Sequence, residues 1–73
     1  MKEAAILYQK MCPVTGLTAK VTFKNRPNGY NYRLYLKAAG DDVWQFYKGF
    51  ETEEEAYGMF FLLTNNQGAR GGN

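Results

Sequence analysis

From Leu17 to Lys24 apolar and polar positions alternate without a break, with Leu17, Ala19, Val21 and Phe23 on one side and Thr18, Lys20, Thr22 and Lys24 on the other. A period of two predicts a half-buried β-strand. Arg26-Pro27-Asn28-Gly29 follows, in which proline presets its φ and Asn-Gly accepts left-handed backbone angles, so a hairpin turn is expected. The returning strand, Tyr30 to Ala38, puts Tyr30, Tyr32, Leu34 and Leu36 on one face and Asn31, Arg33, Tyr35 and Lys37 on the other. Ala39-Gly40-Asp41-Asp42 turns the chain again. In a third strand Trp44, Phe46 and Phe50 share one parity, and Val43, Gln45 and Tyr47 take the other. Lys48 falls on the apolar side, which calls either for a place at the sheet margin or for a bulge near Gly49 that shifts the register.

That third strand runs straight into a helix. Thr52, followed three residues on by Glu55, forms a capping box, in which each side chain satisfies a backbone N–H at the other's position. Glu53, Glu54 and Glu55 also lie where the helix dipole favours negative charge. A helix is therefore expected from about Glu53, with Ala56, Met59, Phe60 and Leu63 on its apolar face. Asn65-Asn66-Gln67-Gly68 stops it. At the other end of the chain, Ala4, Leu7, Tyr8 and Met11 have helical spacing and predict a short helix over residues 3–11, ended by Pro13. A strand from Ala4 to Lys10 competes, because Ala, Ile and Leu there do not decide the period.

These elements predict an α+β fold in the order helix, three antiparallel strands, helix. It forms a single domain over residues 1–67, with a disordered tail over 68–73. The C-terminal helix should cover the face carrying Leu17, Val21, Phe23, Tyr32, Leu34, Leu36, Trp44 and Phe46. The opposite face would then present Lys20, Thr22, Lys24, Asn31, Arg33, Tyr35, Lys37, Gln45 and Tyr47 to solvent.

Charge sharpens this picture. The net charge is only +2, yet from Ala4 to Gly40 there is no acid and the sum is +6, while Asp41 to Glu55 sums to −5. Such asymmetry steers a polyanion toward one surface and away from another. The single Cys12 allows no intramolecular disulfide and suits a reducing cytoplasm. The apolar run Ala4 to Tyr8 is too short for a signal peptide or a membrane span. The expectation is a soluble cytoplasmic protein with no membrane partner.

An enzyme is not expected. The chain has no histidine, so it lacks the commonest general base, and its lone cysteine has no partner to activate it. No metal site and no cofactor is anticipated. Binding is the better expectation, since lysine and arginine neutralise phosphates and tyrosine stacks on bases or packs on sugars. The candidate nucleic-acid contacts are Lys20, Lys24, Arg26, Arg33, Tyr35, Lys37 and Tyr47. Phe61 and Leu62 point away from the core face of the last helix, and Ile6 does the same on the first. These three are candidates for a partner surface, or for mutual burial between the two helices.

The aromatic strand, Gly49-Phe50 step, Thr52 cap and Glu54-Glu55-Ala56 helix start resemble the end of the arm-type DNA-binding domain of tyrosine recombinases, which is related in shape to AP2-type domains. The resemblance implies a three-stranded sheet backed by a helix, with its outer face in the DNA major groove. By position that role would fall on Lys20, Lys24, Arg33, Tyr35, Lys37 and Tyr47; recombination itself is not implied. The element order also resembles the double-stranded RNA-binding domain, with Lys24 to Gly29 as its basic loop. That likeness ranks second, because Glu53, Glu54 and Glu55 stand where the family grips phosphate with lysines. The leading ligand is thus double-stranded DNA. The alternative is a protein-binding module of a phage or mobile element that docks on and inhibits a host protein, with homodimerisation as a further option.

Overall fold

The computed structural model describes residues 4–27 and 29–65. It contains strands β1 (Ala5–Met11), β2 (Thr18–Phe23), β3 (Tyr32–Lys37) and β4 (Gln45–Phe50), followed by helix α1 (Glu53–Asn65). The strands form one antiparallel sheet in the order β1-β2-β3-β4. The α+β class and the single C-terminal helix match the expectation from the sequence, but the sheet has four strands rather than three.

The expected N-terminal helix is replaced by β1. A lone segment of that length is marginal as a helix in water. As a strand it pairs its backbone along the otherwise open edge of β2, from Ala5 opposite Phe23 to Met11 opposite Thr18. The competing strand reading of this segment is the correct one. The register slips between Ile6 and Tyr8, so Leu7 is an extra residue. Ile6 consequently stands opposite Thr22, and Tyr8 stands opposite Val21 on the helix side. Pairing of Cys12 N–H with the Leu17 carbonyl (2.7 Å), and of Gly16 N–H with the Cys12 carbonyl (2.8 Å), closes the turn into β2.

The helix begins as its sequence predicts. Thr52 Oγ1 accepts from the Glu55 N–H at 3.2 Å, and Ala56 N–H reaches the Thr52 carbonyl at 3.2 Å to make the first turn. Ala56, Phe60 and Thr64 are buried. They meet Ala19, Val21, Leu34 and Phe50, while Tyr8, Tyr32, Leu36, Met59 and Leu63 pack around this cluster. Thr64 avoids burying an unpaired hydroxyl by donating to the Phe60 carbonyl at 2.8 Å. Leu34 is fully buried at the centre, a position worth about 1.5–3 kcal/mol of hydrophobic free energy.

The assignment of faces changes in β4. Leu34 lies opposite Lys48 but Tyr35 lies opposite Phe46, so Tyr47 is an extra residue in a bulge. Because side chains alternate, one added residue reverses everything before it. Phe50 stays in the core, whereas Trp44 and Phe46 leave the helix-covered face to which strict alternation assigns them. Gln45 moves the other way, opposite Leu36, and a cleft at this end of the sheet is lined by Leu17, Leu36, Gln45, Tyr47 and part of Phe46. The bulge lies at Tyr47, before Lys48 and not near Gly49. Lys48 therefore keeps the helix side opposite Leu34 and is exposed on the edge strand, the sheet-margin place that is the alternative to a shifted register.

Gly49 has a separate role. A Cβ there would lie 2.9 Å from both Cβ and Cδ2 of Tyr30, so the tyrosine occupies the place of the missing side chain. Gly49→Ala should therefore cost about 1–3 kcal/mol through overpacking. In a Tyr30→Gly background the same change should be neutral or favourable, because alanine suits an element interior better than glycine by ~0.5–1 kcal/mol. Urea-unfolding midpoints of the four proteins test this, and equal costs in both backgrounds would exonerate Tyr30.

Tyr8 ties β1 to the helix start by donating its hydroxyl to Glu53 Oε2 at 2.5 Å. Its ring contacts Tyr57 and Phe60, with centroids 5.0 and 5.6 Å away. The hydrogen bond to Glu53, then desolvation, raises the Tyr8 pKa above its ordinary value of 10.0. The resulting stabilisation is complete below the ordinary tyrosine value and disappears as pH rises through the higher folded value. Alkaline titration of stability should thus fall more steeply for the wild type than for Tyr8→Phe, and parallel curves would refute the link.

Candidate functional site

The sheet face away from α1 can be built up row by row from the strand register. Gln9, Lys20, Tyr35 and Phe46 stand opposite one another across all four strands. On one side of this row come Ile6, Thr22, Arg33 and Gly49, with Tyr30 over the glycine. On the other come Met11, Thr18 and Lys37. Trp44, just before β4, completes this last row, because its ring lies beside both Lys20 and Lys37. Lys24 continues the parity of Lys20 and Thr22 just beyond β2, where its N–H pairs with the Asn31 carbonyl at 3.0 Å.

Cations and rings alternate across this surface. Lys20 Nζ lies 4.3 Å from the Trp44 ring centroid and 5.6 Å from that of Tyr35. Lys37 Nζ lies 5.1 Å from Trp44, and Arg33 Cζ lies 5.8 Å from Phe46. Tyr35 and Phe46 meet edge to face, with centroids 5.8 Å apart at 69°. Each exposed cation–π contact is worth only about 0.5–1 kcal/mol, so the ammonium and guanidinium groups are held in place yet easily released to an anion. Thr22 is buried within this face, and its Oγ1 has no hydrogen-bond partner among the described residues.

Of the residues singled out from the sequence, the structure brings Lys20, Lys24, Arg33, Tyr35 and Lys37 together on one surface. Arg26 serves the β2–β3 connection instead. Its Nη1 donates to the carbonyls of Lys24 (3.3 Å), Tyr30 (3.1 Å) and Asn31 (3.4 Å), and its N–H donates to Asn31 Oδ1 at 2.8 Å. Tyr47 lies away from this face, in the bulge. Trp44, Phe46 and Tyr30 are the members that sequence reasoning missed. No sequence signal placed the bulge at Tyr47, because Lys48 keeps the side that alternation assigns it and only the residues before the bulge change faces.

The proposed partner residues do not form one patch. Ile6 belongs to the sheet face opposite α1, whereas Phe61 and Leu62 lie on the helix, 48% and 66% exposed. Without a first helix there is no burial between helices, and Phe61 instead neighbours Tyr57 at a centroid distance of 6.2 Å. The Asn28 part of the turn and the Arg70-Gly71-Gly72 segment of the tail lie outside the described residues.

Cys12 is fully buried. Hydrogen bonds from the Thr15 hydroxyl, and then from backbone N–H groups of the same turn, hold its thiol below the ordinary value. Glu51 and Glu55 line a cleft with Tyr30, Lys48, Gly49 and Phe50 at the end of β4. Among the described residues no group of three His, Cys, Asp or Glu side chains could hold a metal ion, and no helix is long and apolar enough to cross a membrane. No family model matches the chain, and no curated protein or solved structure matches it.

Proposed function

We propose that this chain is a non-catalytic nucleic-acid-binding module whose contact surface is the sheet face opposite α1. The observation that carries this reading is the gathering of Lys20, Arg33 and Lys37 on one face, with aromatic rings as their neighbours. Cations loosely held over rings can move onto phosphate oxygens with little loss, and every phosphate neutralised releases bound counterions. Duplex DNA presents such phosphates on both strands, and a sheet face turned toward DNA is also what the likeness to arm-type domains implies. The absence of histidine and the burial of Cys12 support binding without catalysis. A lone buried thiol suits a reducing compartment, and the cytoplasm is the proposed location.

The test is an anisotropy titration at low salt with end-labelled duplex and single-stranded oligonucleotides. Wild type should bind at least one form, with affinity falling steeply as salt rises. Arg33→Glu combined with Lys37→Glu should abolish binding while the urea-unfolding curve is retained. Absence of wild-type affinity for every form at low salt would end the reading.

A protein-docking role is the second reading, favoured by the bare helix side at Tyr57, Phe61 and Leu62. On it, a phage or mobile-element protein would dock on a host factor or pair with a second copy of itself through this side. Light scattering tests the self-contact: the wild type should show a dimer mass and Phe61→Asp a monomer mass. A monomeric wild type would dismiss the pairing.

A further inference from the structure

We infer that the surface is built for unpaired bases, so that its ligand is single-stranded nucleic acid in preference to a duplex. This inference rests on the nucleic-acid reading and names the form that the site accepts. Phe46 is 57% exposed although it lies within a strand. Its ring has Arg33 over it and Tyr35 against its edge, which leaves a π-surface open to solvent. Trp44 lies on the same side, flanked by Lys20 and Lys37, with Tyr30 farther along over Gly49.

The two forms of nucleic acid offer this surface different things. In a duplex the base faces are already stacked on each other, so a protein meets only phosphates and base edges. Lysines would satisfy those contacts, and projecting rings would find few apolar partners. A single strand instead presents free base faces and phosphates alternately along its length. A platform on which rings and cations alternate matches that order, with bases stacking on aromatic rings while the backbone tracks positive charge. The cross-strand row Lys20, Tyr35 and Phe46 sets cation and rings side by side at the ordinary inter-strand spacing of ~4.8 Å. Because stacking tolerates any base, little sequence preference is expected.

The experiment titrates the full chain with an end-labelled mixed-sequence DNA strand, with the same strand annealed to its complement, and with the RNA of the same sequence. Either single strand should bind about tenfold or more tightly than the duplex. The DNA and RNA arms identify which backbone is preferred. Trp44 is the sole tryptophan, so its fluorescence should be quenched by the single strand and far less by the duplex. Phe46→Ala should reduce the single-strand preference about tenfold, and Phe46→Leu, which keeps an apolar side chain without a π-face, should reduce it similarly. Phe46→Tyr should restore it. Equal or tighter duplex binding overturns the inference while leaving the nucleic-acid reading intact, as does a Phe46→Leu variant with the wild-type preference. Failure of every form to bind at low salt overturns both.

Discussion

The arrangement of this molecule depends on the register of its last strand. Side chains in a strand alternate with a period of two, so the added residue at Tyr47 decides which residues of β4 the helix can reach. With it, Phe50 enters the core beneath Ala56 and Phe60, and Phe46 and Trp44 emerge among the cations on the other side. Without it, all three aromatics would share the helix-covered face. Fully burying a phenylalanine is worth about 1.5–3 kcal/mol, which is a sizeable share of the stability of a 73-residue chain. The bulge forgoes that stabilisation at Phe46, and the exposed ring is left as part of a surface rather than of a core.

The core can tolerate this loss because it is compact where the helix crosses the sheet. Ala19 and Ala56 are both fully buried, and their small side chains let α1 approach β2 closely. Val21 and Leu34 fill the space on either side, with Phe50 and Phe60 closing it. Tyr8 extends this contact to the edge strand, where its ring packs on Tyr57 and Phe60 and its hydroxyl meets Glu53. Strand β1 has few other links to the helix. Its attachment therefore relies on backbone pairing with β2 and on this one side chain.

Much of the fold was legible in local chemistry. The clean alternation from Leu17 to Lys24, the alternation through Leu34 and Leu36, and the Thr52 cap each give one answer without tertiary information. The segment over residues 5–11 does not. Its apolar residues fit either period, and the strand wins because the edge of β2 offers backbone partners, a consideration foreign to the segment itself. The site divides in the same way. Lys20, Arg33, Tyr35 and Lys37 follow directly from strand parity, whereas Trp44 and Phe46 could be placed only by locating the bulge. Lys48 was no guide to it, since it lies on the helix side with or without the bulge. Arg26 shows a role that composition does not reveal, since three backbone carbonyls of its own loop accept from its Nη1.

Charge is divided between the two sides of the sheet as well. Lys48, the one base within the acidic stretch, is placed opposite Leu34 on the helix side, where it lines a cleft with Glu51 and Glu55. Glu53 is turned toward Tyr8. The sheet face opposite keeps Lys20, Arg33 and Lys37 with rings for neighbours. Rings do not neutralise charge; their quadrupoles hold a cation while leaving its field directed outward. On the proposed nucleic-acid reading, this field would draw a polyanion to one side of the molecule and repel it from the helix start, so that it would arrive facing the aromatic residues. In that reading orientation would come from the long-range field and selectivity from short-range stacking, both on the same face because one bulge put Trp44 and Phe46 there.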